Sequence, residues 1–121
     1  MITPAVAKQR SAESLNGFPP TVVSAYLAFA ERGDPVDLDI VVLGVLQFYI
    51  VKKPGTPLIA LPGSTRLVED LGCDSLTMMD TVFMVESLLD VKLDDAELPK
   101  LKTLDDLRNY LRQLVVLTAV S

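Results

Sequence analysis

The run Ile40-Val41-Val42-Leu43-Gly44-Val45-Leu46-Gln47-Phe48-Tyr49-Ile50-Val51 constrains the fold more than any other stretch of this chain. Only Gly44 and Gln47 interrupt its apolar character. It is well short of the ~20 residues that cross a bilayer, so it has to be buried within protein. Its β-branched residues would suit a buried strand on propensity alone. Length decides for a helix, because the element extends from about Asp37 to Lys53, far beyond an ordinary strand. Asp37 and Asp39 at its start and Lys52 and Lys53 at its end match a helix macrodipole. A helix apolar nearly all round must be covered on more than one side. The available covers are residues 21–32 and the C-terminal run Leu114-Val115-Val116-Leu117.

The other elements fall around this one. Thr21 is a plausible N-cap for a helix through about Arg32, with Val22, Val23, Tyr26, Leu27, Phe29 and Ala30 as its apolar surface. Gly33-Asp34-Pro35 ends it. Residues 1–18 lack helical periodicity and read as a flexible arm closed by Phe18-Pro19-Pro20. A long loop from Pro54 to Asp70 is expected to be pinned by Leu58, Ile59, Leu61 and Leu67. Asp74-Ser75 opens a helix to about Leu89 that turns Val82, Val85 and Leu89 inward. Lys92 to Leu101 is irregular or 3₁₀. The last helix begins at a capping-box-like Thr103-Leu104-Asp105-Asp106, faces Leu104, Leu107, Leu111 and Leu114 inward, and runs to about Leu117. These elements predict one all-α domain from 121 residues.

Composition removes several function classes. There is no histidine, so the commonest general base, the Ser-His and Cys-His pairs and most zinc sites are missing. One cysteine cannot form an internal disulfide, and a reducing cytoplasm fits. The net charge of −5 is opposite in sign to that of a typical nucleic-acid binder. The charge is also uneven: nine acids and one base, Lys92, lie between Glu69 and Glu97. Such a block is a solvated face or a docking surface for basic partners.

The chemically distinctive spot is Gly72-Cys73-Asp74-Ser75-Leu76, where a loop ends and a helix begins with a serine in its first turn. The unpaired N–H groups there stabilise an anion. A Ser or Asp at such a place is ordinarily an N-cap; a phosphoester on Ser75 would use the same donors. Cys73 sits beside the helix N-terminus, which lowers a thiol pKa, but Asp70 and Asp74 oppose that. It reads as a small tolerated residue rather than a nucleophile.

The wider string Leu67-Val68-Glu69-Asp70-Leu71-Gly72-Cys73-Asp74-Ser75-Leu76 closely resembles the signature of acyl carrier proteins. The similarity continues through the acidic Asp94-Asp95-Ala96-Glu97, through Leu101-Lys102-Thr103-Leu104 and on to Asn109-Tyr110-Leu111, covering about residues 37–113. The resemblance implies a four-helix bundle with a long first loop and a short third helix. It implies 4′-phosphopantetheine on Ser75, placed there by a phosphopantetheinyl transferase, with Asp74 helping to hold the transferase magnesium and no metal resident in the protein. It implies a non-catalytic carrier of acyl thioesters for fatty acid, lipid or polyketide biosynthesis. Its partners would be synthases, reductases, dehydratases or acyltransferases with basic docking patches, met through Leu76, Met79, Asp80, Phe83 and Glu86. Neither nucleic acid nor stable membrane insertion is implied. A carried lipid could retreat into the bundle, between residues such as Leu46, Leu71, Val82, Val85, Leu107 and Leu111.

Two departures from the family pattern stand out. Thr77, Ser87 and Leu88 replace frequent acids on the helix after the serine, which Leu76, Met78, Met79, Phe83 and Met84 make unusually apolar. About 35 residues precede the family's first helix. The expected organisation is therefore an arm at 1–18, an additional helix at 19–35 packed on the bundle, and a carrier domain at 36–121. The alternative function is an unmodified helical interaction module that kept the fold and carries no cargo.

Overall fold

The computed structural model describes residues 2–51 and 53–120, with side chains as far as residue 115 in the last helix. Five α-helices account for most of these residues: α1 (Pro4–Ser14), α2 (Pro20–Arg32), α3 (Pro35–Tyr49), α4 (Ser75–Leu89) and α5 (Leu104–Val120). Short 3₁₀ turns at Leu58–Ala60 and Leu98–Lys100 punctuate the two longer connections. No strand forms among the described residues; an isolated antiparallel bridge joins Arg66 to Thr103.

Helix α3 is the hub. It packs against α2, α4, α5 and the first 3₁₀ turn, as an element apolar nearly all round requires. Leu38, Val41, Val42, Leu43, Val45 and Leu46 are all buried. Asp39 is buried with them and is satisfied by Arg112 of α5, whose Nε and Nη2 both donate to its carboxylate. Gly44 lets α2 approach closely, because a Cβ there would lie 2.4 Å from Val22 Cγ2.

The boundaries of α3 differ from the sequence expectation at both ends. Pro35 is its first residue rather than a stop signal beyond α2, since a proline at N1 gives up only an N–H that has no partner there. Asp34 is the cap, accepting from the Val36 N–H at 2.9 Å. The helix ends at Tyr49, before the basic pair. Lys53 still serves that end: its ammonium donates to the carbonyls of Gln47, Phe48 and Ile50 at 2.6, 2.7 and 2.6 Å. Lys52 lies outside the described residues, as do the side chains of Val116 and Leu117.

The additional helix is present as α2, and a second helix precedes it. Its cap position is Pro19, with Thr21 already inside the first turn, and Gly33 ends it at φ 70°. Residues 4–14 form α1 where a flexible arm without periodicity is expected from sequence. The Thr3 side chain accepts from the Val6 N–H, and Pro4 supplies a preset first turn. Ala7 is buried on the inner side, Ile2 and Leu15 anchor the two ends, and Arg10 donates to the Ser87 carbonyl of α4.

Helix α4 begins and ends where expected, and Val82, Val85 and Leu89 are buried. Helix α5 opens with a reciprocal cap: the Asp106 N–H donates to Thr103 Oγ1 at 3.2 Å, and the Thr103 N–H to the Asp106 carboxylate at 3.1 Å. Leu104, Leu107 and Leu111 are buried and Leu114 is half-buried. In the long loop Leu58 and Leu67 are buried and Leu61 packs partly against the core. Ile59 is 44% exposed and is not part of the buried core.

Candidate functional site

The segment before α4 is a tight, internally bonded loop. Leu67 and Leu71 point into the core. The Leu67 N–H donates to the Lys102 carbonyl at 2.8 Å, and the Cys73 N–H returns to the Leu67 carbonyl at 2.9 Å. Asp70 closes the turn by accepting from the Arg66 N–H at 2.8 Å and from its guanidinium at 3.2 Å. The Arg66 backbone and side-chain donors hold the Asp70 carboxyl below its ordinary pKa. Gly72 adopts φ 68°, a left-handed conformation that glycine reaches without a Cβ penalty, and turns the chain toward α4.

Asp74 is the N-cap, accepting from the Thr77 N–H at 2.8 Å. That backbone donor, with the Thr77 side chain and further backbone N–H groups, holds the Asp74 carboxyl below its ordinary value of 3.8. The capping role that sequence allows for either residue therefore belongs to Asp74. Ser75 is the first helical residue and is exposed. Among the described residues nothing hydrogen-bonds its hydroxyl. A free hydroxyl, a carboxylate kept ionised beside it, and a helix N-terminus that favours negative charge fit a phosphodiester-linked group.

Cys73 is buried, and burial, with a smaller contribution from the Asp74 charge, pushes its thiol up to about 11. It is inert at neutral pH.

Leu76, Met79 and Phe83 are 68%, 48% and 59% exposed and follow one another at helical spacing on the outer face of α4. Asp80 lies on the same stripe, half-exposed, and its charge reaches Tyr49 of α3. Glu86 follows Phe83 at i+3 and is half-buried. Its carboxylate accepts from the Leu93 N–H at 2.9 Å and lies 4.0 Å from the Lys92 ammonium, so it braces the turn after α4. Leu88 and Thr77 are buried, which explains why neither could be an acid here. Sequence reasoning missed Arg10, which grips the Ser87 carbonyl and pairs with Asp90 at 3.7 Å. No local pattern joins residues so far apart. It also missed Arg66, whose i,i+4 spacing to Asp70 was a readable signal.

Of the six residues expected to line a lipid cavity, Leu71 lines a crevice beside the Glu69–Gly72 turn. Leu46, Leu71, Val82, Val85, Leu107 and Leu111 are all buried in the core. A cavity of about 430 Å³ lies elsewhere, between the start of α2, α3 and the loop after it. A smaller crevice of about 270 Å³ lies beside the turn at Glu69–Gly72.

No helix among the described residues is long and apolar enough to cross a membrane. No solved structure matches the chain significantly. Among curated proteins, the acyl carrier protein of Thermotoga maritima is 38% identical over 64 residues, covering 53% of this chain and 79% of that one. The acyl carrier protein of Bdellovibrio bacteriovorus is 31% identical over 64 residues, covering 53% and 82%. That of Campylobacter concisus is 36% identical over 50 residues, covering 41% and 65%. A family model described as the phosphopantetheine attachment site matches residues 46–111, from within α3 to within α5. That span takes in the capped turn, the exposed serine and the helix behind it, and on these grounds the chain belongs to the phosphopantetheine-binding acyl carrier family.

Proposed function

We propose that Ser75 is the attachment point of the 4′-phosphopantetheine group and that the protein carries acyl groups for fatty acid, lipid or polyketide assembly. The observation that supports this most directly is the Ser75 hydroxyl: exposed, free of protein partners, and next to the ionised cap Asp74. A phosphopantetheinyl transferase supplies the group from coenzyme A, and Asp74 presents an oxygen toward the transferase magnesium. When bound, the group offers a terminal thiol that holds an acyl chain as a thioester. The chain has no histidine and its one thiol is buried, which is in keeping with the part of a substrate and carrier.

Partner enzymes dock on the outer face of α4, where Leu76, Met79 and Phe83 offer apolar contact and Asp80 a flanking charge. Methionine adapts its shape to differing grooves. Glu86, tied to Leu93, is a strut of that face rather than a free charge.

Intact mass before and after incubation with coenzyme A, magnesium and a broad-specificity transferase tests the attachment. A gain of one phosphopantetheine that Ser75→Ala abolishes is the expected result. No gain, with a transferase active on a control carrier, would assign the chain instead to a helical interaction module without cargo.

A further inference from the structure

We propose that Arg10, on the first of the two added helices, selects among the partners of this chain: it neutralises the end of the α4 docking face farthest from Ser75 and disfavours enzyme surfaces whose basic patch extends that far. The inference rests on docking at α4 by enzymes that act at Ser75. The partner this face fits is an enzyme with an apolar surface opposite Leu76, Met79 and Phe83, a cation for Asp80, and no cation beyond Phe83.

The exposed stripe that begins at Leu76 continues from Phe83 to Ser87 at i+4 and on to Asp90, the residue that ends the helix. Two features make that end negative: the exposed carboxylate of Asp90, and the carbonyls of the last turn, which form the negative pole of the helix dipole. Arg10 answers both. Its Nη1 donates to the Ser87 carbonyl at 2.5 Å and lies 3.7 Å from Asp90 Oδ1. Helix α1 delivers it there, since Arg10 stands one turn after the buried Ala7, and Ile2 and Leu15 anchor the ends of that segment. The bond to the carbonyl holds the guanidinium at the end of α4, so its positive charge is a fixed part of the surface.

The other acids of this helix leave little for a long basic patch to read. Glu86 accepts from the Leu93 N–H and lies 4.0 Å from the Lys92 ammonium. Of the acids on α4 and at its end, Asp80 is the one in no ion pair among the described residues. The face therefore presents one uncompensated acid near its start and compensated charge at its end. A partner with cations along the whole length of α4 meets Arg10 as a like charge, which slows its approach and weakens its hold. A partner that reads the apolar side chains and Asp80 meets no such opposition.

The probe is a broad-specificity phosphopantetheinyl transferase chosen for a basic docking surface, with transfer of the arm to the full chain followed by intact mass. The unaltered chain and the double variant Arg10→Gln with Asp90→Asn keep the charge at the end of α4 balanced. Arg10→Gln alone makes it negative, and Asp90→Asn alone makes it positive. Asparagine suits the left-handed backbone of position 90, where φ is 56°. At low salt KM should fall about two- to four-fold in Arg10→Gln and rise by a similar factor in Asp90→Asn. The double variant should match the unaltered chain, and kcat should be the same in all. The differences should vanish by ~0.5 M salt. KM values equal throughout, persisting in high salt, or shifted alike in Arg10→Gln and the double variant would overturn the proposal; the last pattern is that of a merely structural Arg10. No gain of mass in any of these proteins, with a transferase active on a control carrier, would overturn attachment at Ser75 and this inference with it.

Discussion

The Tyr26 hydroxyl donates to the Leu88 carbonyl and so ties α2 to the last turn of the helix that begins at Ser75. Tyr26 is fully buried, and burial is the main reason its phenol is pushed up to about 12. Arg10 makes the neighbouring contact, to the Ser87 carbonyl. Two helices N-terminal to the family's usual bundle thus satisfy carbonyls that the end of α4 leaves without helical partners.

Tyr26→Phe keeps the ring in place and removes only the donor. The Leu88 carbonyl then loses its partner in a buried setting, which costs about 1–2 kcal/mol. Chemical denaturation should show the midpoint falling with an unchanged slope. An unaltered midpoint would mean that water replaces the hydroxyl and that the contact contributes nothing net.

Removing residues 1–33 should leave α3 folded but uncovered. The cut keeps Asp34, whose side chain caps α3. It strips away Val22, packed tightly over Gly44, and Phe18, whose ring stacks on Phe48 at 4.0 Å. The exposed strip of α3 should drive self-association, visible as a concentration-dependent mass in sedimentation. A truncated chain that stays monomeric and as stable as the whole would show that α2 is dispensable to the core.

The elements with strong caps were the legible ones. Asp74 before α4 and the Thr103–Asp106 pair before α5 carry their start signals within four residues, and both helices begin where those signals place them. The site was legible for the same reason, since its geometry is made by one short stretch. Helix α1 was not, because its stability is borrowed: within the helix only Ala7 is buried, and a single inward residue gives no periodicity to detect. Helical spacing does show which leucines face inward, and Leu107 and Leu111 are buried as it places them.

Thiol counting separates the attached arm from the protein's own cysteine. Cys73 is the single cysteine, buried, with its thiol raised to about 11 mainly by burial. At pH 8 the folded protein without its arm should give no fast reaction with an aromatic disulfide reagent, and one thiol in denaturant. The protein carrying the arm should give one fast thiol when folded and two in denaturant. Ser75→Ala should behave as the first in every preparation. A fast thiol in folded Ser75→Ala would show that the turn before α4 opens readily and that burial of Cys73 is transient.

Acid should weaken the site's scaffold before neutral pH has any effect. Asp70, Asp74 and Asp106 all have carboxyls held below their ordinary 3.8, chiefly by backbone N–H donors: Arg66 for Asp70, Thr77 for Asp74 and Lys102 for Asp106. A folded-state pKa below the unfolded one means the unfolded chain binds more protons as pH falls through that interval. Their contribution is therefore complete above the ordinary carboxylate pKa and is lost progressively as pH drops through the depressed values. Thermal midpoints should be flat from pH 7 to about pH 5 on this account and decline below about pH 4. Asp74→Asn keeps a capping oxygen but cannot ionise, so it should flatten part of that fall while lowering transfer of the arm to Ser75. An acid profile unchanged by Asp74→Asn would mean that the cap at the start of α4 does not depend on its charge.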